Sequence, residues 1–119
     1  MGTRADFYVG IGKDAEWLGS VAFDGYEWEE DGDSRIAKAT TEKEYRAAVA
    51  EMLGSRDDAT LPEMGWPWPW NDSNTTDYAY AFKNGTVKAI TEDVEWPDMS
   101  AIRKPTIGVR SGLIVVIGK

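Results

Sequence analysis

The chain has 119 residues, no histidine, no cysteine, six tryptophans and a formal net charge of -8, from 21 Asp+Glu against 13 Lys+Arg. The two missing residue types exclude imidazole acid–base chemistry, thiolate nucleophiles, disulfides and the commonest zinc, copper and iron–sulfur ligands. The negative field repels nucleic-acid phosphates and anionic lipid, and favours a basic partner.

Hydrophobic residues make up 42% and aromatics 12%. Large rings bury much area per residue, so a compact core is within reach of a chain this size, and the expectation is one folded domain over 1–119. The N-terminus carries no apolar stretch of signal-peptide length, and the longest apolar run, Leu113 to Ile117, is too short to span a bilayer. The reading is a soluble cytoplasmic protein.

In chain order, Phe7-Tyr8-Val9-Gly10-Ile11 reads as a strand and Gly12-Lys13-Asp14 as a turn. Trp17 to Phe23 reads as a second strand with Trp17, Gly19, Val21 and Phe23 on one face. From Asp24 to Asp33 six of ten residues are acidic and none is basic, with Tyr26 and Trp28 among them. This is read as a loop or solvated edge. The clearest helix covers about 41–53. Thr41 and Glu44 have capping-box spacing, and Tyr45, Val49, Met52 and Leu53 form one apolar stripe. Gly54 is placed to take a left-handed C-terminal position.

After a polar connector comes Trp66-Pro67-Trp68-Pro69-Trp70, where the prolines forbid a helix and predict an extended, polyproline-like path. Tyr78 to Ile90 carries the strongest hairpin signal: alternating strand residues on either side of Asn84-Gly85, which supplies a two-residue type I′ turn. Ala79 and Ala81 on one face imply that something packs closely there. Residues 92–104 read as irregular. Thr106 to Val109 and Leu113 to Ile117 read as the last strands. The fold class is α+β: a mainly antiparallel sheet packed by one principal helix, with long aromatic-rich loops.

Gly10-Ile11-Gly12-Lys13-Asp14-Ala15 superficially matches a dinucleotide fingerprint. Such a fingerprint needs an alternating strand–helix series around it, so a turn between strands explains it better. The acidic cluster Asp24, Glu27, Glu29, Glu30, Asp31 and Asp33 admits three readings: a solvated charge run, a divalent-cation site, or an imitation of a phosphate backbone that occupies a basic groove. Its spacing does not fit an EF-hand, and no metal or other cofactor is expected. Three bulky rings on a proline-stiffened segment cannot easily all point inward. A ring left outside is a natural interface anchor. The partner-binding candidates are therefore Asp24, Glu27, Trp28, Glu29, Glu30, Asp31 and Asp33 together with Trp66, Trp68 and Trp70. No catalytic set is assigned. The pairs Asp57–Asp58 and Glu92–Asp93 read as surface charge.

The opening Gly2-Thr3-Arg4-Ala5-Asp6-Phe7-Tyr8-Val9-Gly10, with Ala15-Glu16-Trp17-Leu18-Gly19-Ser20 and Asp24-Gly25-Tyr26, resembles the start of short proteins encoded by tailed phages and prophages of proteobacteria. What the resemblance implies is a setting, since small acidic accessory phage proteins are often antagonists of host defence. It assigns no residue a role. The leading expectation is a non-enzymatic binding protein, a stoichiometric inhibitor of a bacterial defence complex in the manner of anti-CRISPR proteins, which occupies a basic protein surface without touching nucleic acid or membrane. The alternative is a small-molecule or nucleotide-signal binding protein with an aromatic pocket and anion contacts from Arg103, Lys104 or Arg110. A carboxylate-only metal-dependent hydrolase and a minor virion assembly factor stand behind these.

Overall fold

The computed structural model describes residues 3–23 and 35–102. The predicted strands at 106–109 and 113–117, the acidic cluster, and Arg103, Lys104 and Arg110 lie outside them. Among the described residues five strands and one α-helix make up the frame: β1 (Ala5–Val9), β2 (Glu16–Val21), α1 (Glu42–Gly54), β3 (Ala59–Thr60), β4 (Tyr78–Lys83) and β5 (Thr86–Ile90). They form a single sheet in the order β3-β2-β1-β4-β5. The class is α+β, and the sheet is mixed rather than purely antiparallel. β1 and β4 run parallel, in the register Asp6↔Ala79 and Tyr8↔Ala81, while the other three pairings are antiparallel. A parallel pair needs a long crossover, and here the crossover carries α1 and the tryptophan segment.

The hairpin forms as its sequence dictates. Asn84 and Gly85 both take positive φ, 55° and 81°, and Lys83 pairs with Thr86 across them. Helix α1 begins at the Thr41 cap, whose hydroxyl accepts from the Glu44 amide at 3.1 Å. The Glu44 carboxylate reaches one residue further back than a capping box requires, to the amide (3.0 Å) and hydroxyl of Thr40. These hydrogen bonds hold its pKa below the ordinary 4.5. The buried stripe is Tyr45, Ala48, Val49 and Leu53, with Met52 only half-buried at its margin. Gly54 is the last helical residue and does not turn left-handed; Ser55 at φ -96° caps the end, its amide donating to Leu53 O and Met52 O. The helix terminus thus needs no glycine.

The sheet separates two cores. On the helix side Ala5, Phe7, Val21, Tyr80 and Phe82 pack against Tyr45, Ala48, Val49 and Leu53. The rings of Phe7 and Tyr80 stack at 5.3 Å, and those of Tyr45 and Phe82 at 5.5 Å. On the other side Tyr8, Trp17, Ala79, Ala81 and Ile90 are covered by Trp66, Trp96 and Met99. Ala79 and Ala81 do leave room for close packing, and large rings from the loops fill it.

Trp17 and Val21 were expected on one face and sit on opposite ones. The β1–β2 register shifts between Phe7 and Tyr8, so that Phe7 faces Gly19 while Tyr8 faces Trp17, with Leu18 as the extra residue. Such a bulge reverses the side-chain alternation. It depends on Gly19, which has φ +148° and lies so close to its neighbours that a Cβ would meet the Leu53 side chain at 2.5 Å and the Thr60 carbonyl at 2.8 Å. The bulge turns Trp17 and Ser20 towards the loop side together.

Candidate functional site

The loop layer over the second face is built from residues 62–77 and 91–102. It is fastened to the sheet through one carboxyl group. Asp6 on β1 is fully buried. Its Oδ1 accepts from Ser20 Oγ of β2 at 2.5 Å and from the indole Nε1 of Trp68 at 2.7 Å. Its Oδ2 accepts from Ser73 Oγ at 2.6 Å. Two further donors stand behind these: Trp17 Nε1 donates to Ser20 Oγ at 3.0 Å, and the Tyr8 hydroxyl bonds Ser73 Oγ at 2.8 Å. Because the Ser73 proton is committed to Asp6, the Tyr8 hydroxyl donates in that pair. Burial pushes the Asp6 carboxyl above its ordinary 3.8, against the pull of Ser20, Ser73 and Trp68. Burial, reinforced by the Asp6 charge, likewise raises the Tyr8 phenol.

The indole edges of Trp66 and Trp70 are also satisfied within the protein. Trp66 Nε1 donates to Trp70 O at 2.6 Å, and Trp70 Nε1 to Thr76 Oγ1 at 2.8 Å. Second-layer contacts then pin residues 91–102 over the same face. The Asn74 side chain bonds both the amide (3.0 Å) and the carbonyl (2.7 Å) of Val94, Met99 N donates to Asn71 O, and Trp66 N donates to Ile102 O. Trp96 stacks on Tyr8 at 4.4 Å, and Trp17 meets Trp66 edge-on at 5.1 Å.

Against the sequence-derived candidates the outcome is divided. Asp24, Glu27, Trp28, Glu29, Glu30, Asp31 and Asp33 lie outside the described residues. Trp66 is fully buried, which removes it as an interface anchor: its amide and indole N–H are both used internally, and its ring lids the core. The segment is also less extended than the prolines imply, with bends over residues 68–72. Trp68 and Trp70 are half-buried. Their polar edges turn inward, and their rings stack on each other at 5.5 Å with 18° between planes. Arg4 lies over both, with its guanidinium carbon 5.9 Å from the Trp68 ring centroid and 5.5 Å from that of Trp70. Asp77 fixes Arg4 from the other side, accepting from its amide at 2.9 Å and from its guanidinium at 3.4 Å.

Charge is unevenly divided between the segments that cover the two faces. Residues 62–77 and 91–102 contain seven acidic residues (Glu63, Asp72, Asp77, Glu92, Asp93, Glu95 and Asp98) and no Lys or Arg. Residues 35–56, which include α1, contain five basic and three acidic ones. On the helix side Arg46 bridges Glu16 and Glu42, both at 2.6 Å, and Arg35 pairs with Glu51. Exposed Met64 and Ile102 add apolar surface beside Trp66.

Sequence reading missed Asp6, Arg4, Asp72 and Asp77. The available signal was parity. Asp6 shares a face with Tyr8, and the facing positions Ser20, Ala79 and Ala81 are all small, which marks a place where large loop residues with donors must come in. Two grooves, of ≈ 230 Å³ between α1 and Leu18/Leu61 and of ≈ 470 Å³ beside Arg35, Lys38 and Lys43, both lie on the helix side, and neither is lined by Trp or Tyr. Among the described residues no group of His, Cys, Asp or Glu has the arrangement of a metal site, and no helix is long and apolar enough to cross a membrane. No protein-family model matches the chain, nor does any curated protein or solved structure.

Proposed function

We propose that the protein is a binding protein that acts by occupancy, with its loop layer against a basic surface of another protein. In the setting implied by the resemblance to phage and prophage proteins, that surface belongs to a bacterial host-defence complex whose own task is to hold nucleic acid. One observation carries the reading: a stacked, internally hydrogen-bonded Trp68–Trp70 pair stands half-exposed under Arg4, in loop segments that hold seven acidic residues and no basic one. Anchors that are already ordered lose little freedom on association, and indoles dominate interface energetics. Acidic surroundings steer a basic partner and raise the association rate. The acidic segment from Asp24 to Asp33 belongs to the same reading.

Affinity capture from a bacterial host lysate, followed by association kinetics with the recovered partner, tests it. Reversing Glu92, Asp93 and Glu95, or Glu29, Glu30 and Asp31, should slow association roughly tenfold at low ionic strength, with the fold intact. Trp68→Ala should act mainly on dissociation. Salt-independent association, or many product molecules released per protein molecule, would overturn the reading.

A further inference from the structure

We propose that the corner formed by Trp68, Trp70 and Asp77 is an arginine-binding seat that the chain's own Arg4 occupies, and that an arginine of the basic partner displaces Arg4 on binding. The inference rests on the proposed function for the partner's character, but the seat is argued from its own geometry.

A guanidinium is recognised by flat aromatic surface and by a carboxylate in hydrogen-bond reach. Both are present. The Arg4 guanidinium carbon lies 5.9 and 5.5 Å from the two ring centroids, and Asp77 Oδ2 accepts at 3.4 Å. The seat does not depend on Arg4 for its shape. Trp68 is held by Asp6 and Trp70 by Thr76 through their Nε1 atoms. The Asp77 carboxylate is held by the backbone amide of residue 4, a bond that Ala or Gln at this position keeps. Tyr78 N donates to Arg4 O, which keeps that backbone in place.

The occupant is weakly held. The Arg4 and Asp77 side chains are 42% and 44% exposed, and the ion pair is long at 3.4 Å. An exposed ion pair and an exposed cation–π contact each shift an equilibrium by only about two- to fivefold. A partner arginine that also gains the surrounding acidic field can therefore exchange with Arg4, while in its absence Arg4 shields the rings from nonspecific contacts. This makes residue 4 a built-in competitor.

The test uses Arg4→Ala, with Arg4→Gln as a second variant that keeps part of the aliphatic stem and no charge. Each is titrated with N-acetyl-arginine amide while the six indole N–H signals are followed by NMR. Both variants should show saturable shifts at Trp68 and Trp70 with half-saturation at about 1–10 mM, and the wild type should respond at least fivefold more weakly. The neutral citrulline analogue should give no saturable shift. Adding Asp77→Asn to Arg4→Ala should weaken binding about fivefold. The absence of saturable shifts in both variants, or equal responses to arginine and citrulline amides, overturns the seat. Failure of the seat leaves capture of a basic partner by the wild type unaffected. A seat that binds arginine amide in a protein that captures no basic partner separates the two the other way.

Discussion

The two faces of the sheet are covered by different physics. The helix face is held by shape: apolar side chains of α1 fit over Phe7, Tyr80 and Phe82, and the buried Tyr45 gives its hydroxyl to the Tyr80 carbonyl at 3.2 Å. The loop face is held by direction. Irregular backbone cannot present a continuous apolar stripe, so rings are fixed one at a time through their N–H and O–H groups, with Asp6 at the convergence. Apolar packing tolerates exchange of similar volumes, whereas a convergent polar cluster fails when its acceptor is lost. The tryptophan pair owes its fixed position to that cluster.

The contrast can be broken most severely at Trp66. Trp66→Ala opens a cavity in the loop-side core and strands the Trp70 carbonyl, and should cost about 4 kcal/mol in denaturant unfolding. Next comes Asp6. Asp6→Ala leaves Ser20, Ser73 and Trp68 without their acceptor and should cost about 3 kcal/mol. Asp6→Asn should cost about 1 kcal/mol or less, because the amide can give its own proton to Ser73 Oγ while its oxygen keeps the other two donors.

That pair of variants also sharpens the role of charge. The Asp6 pKa is raised in the folded state, so the folded protein holds this proton more tightly than the unfolded chain does. Its stabilising contribution is whole below 3.8 and is lost as pH rises towards the elevated folded value. Glu16 and Asp58, lowered by Arg46 and Arg56 respectively, contribute with the opposite sign: their support is present above their ordinary values and is lost as pH falls through the depressed ones. The difference in unfolding free energy between wild type and Asp6→Asn isolates the first effect and should shift against the wild type as pH rises from 3.8. A difference that moves in its favour would place the carboxylate form as the preferred one. The smallest effect belongs to the helix face. Tyr45→Phe removes one hydroxyl bond from a core built mainly by packing, and should cost about 1 kcal/mol, with the loop-side indole signals unmoved.

Local chemistry made much of the frame legible. Asn84-Gly85 predicted the hairpin, and Thr41 with the apolar stripe predicted α1 to within a residue. What escaped was set by distant partners. β3 is two residues long and exists only because Ser20 and Val21 pair with it. The bulge at Leu18 reverses the facing of Trp17, and alternation counted along one strand cannot register a shift imposed by its neighbour. The tryptophan segment was recognisable as unusual, but the division of its rings between a lid and a half-exposed pair depends on Asp6, 60 or more residues away in sequence. The charge contrast between segments was countable in the sequence, but became visible only once 62–77 and 91–102 were known to cover the same face.

The parallel partnership of β1 with β4 bears on how the chain is made. Phe7 and Tyr8 leave the ribosome well before the strand that flanks them, which begins at Tyr78. At about 5–20 residues per second, residues 10–77 take roughly 3–14 s to synthesise. Throughout that interval an aromatic strand with one unpaired edge waits for its neighbour, so a translational pause before residue 83 should favour aggregation or chaperone capture of the nascent polypeptide.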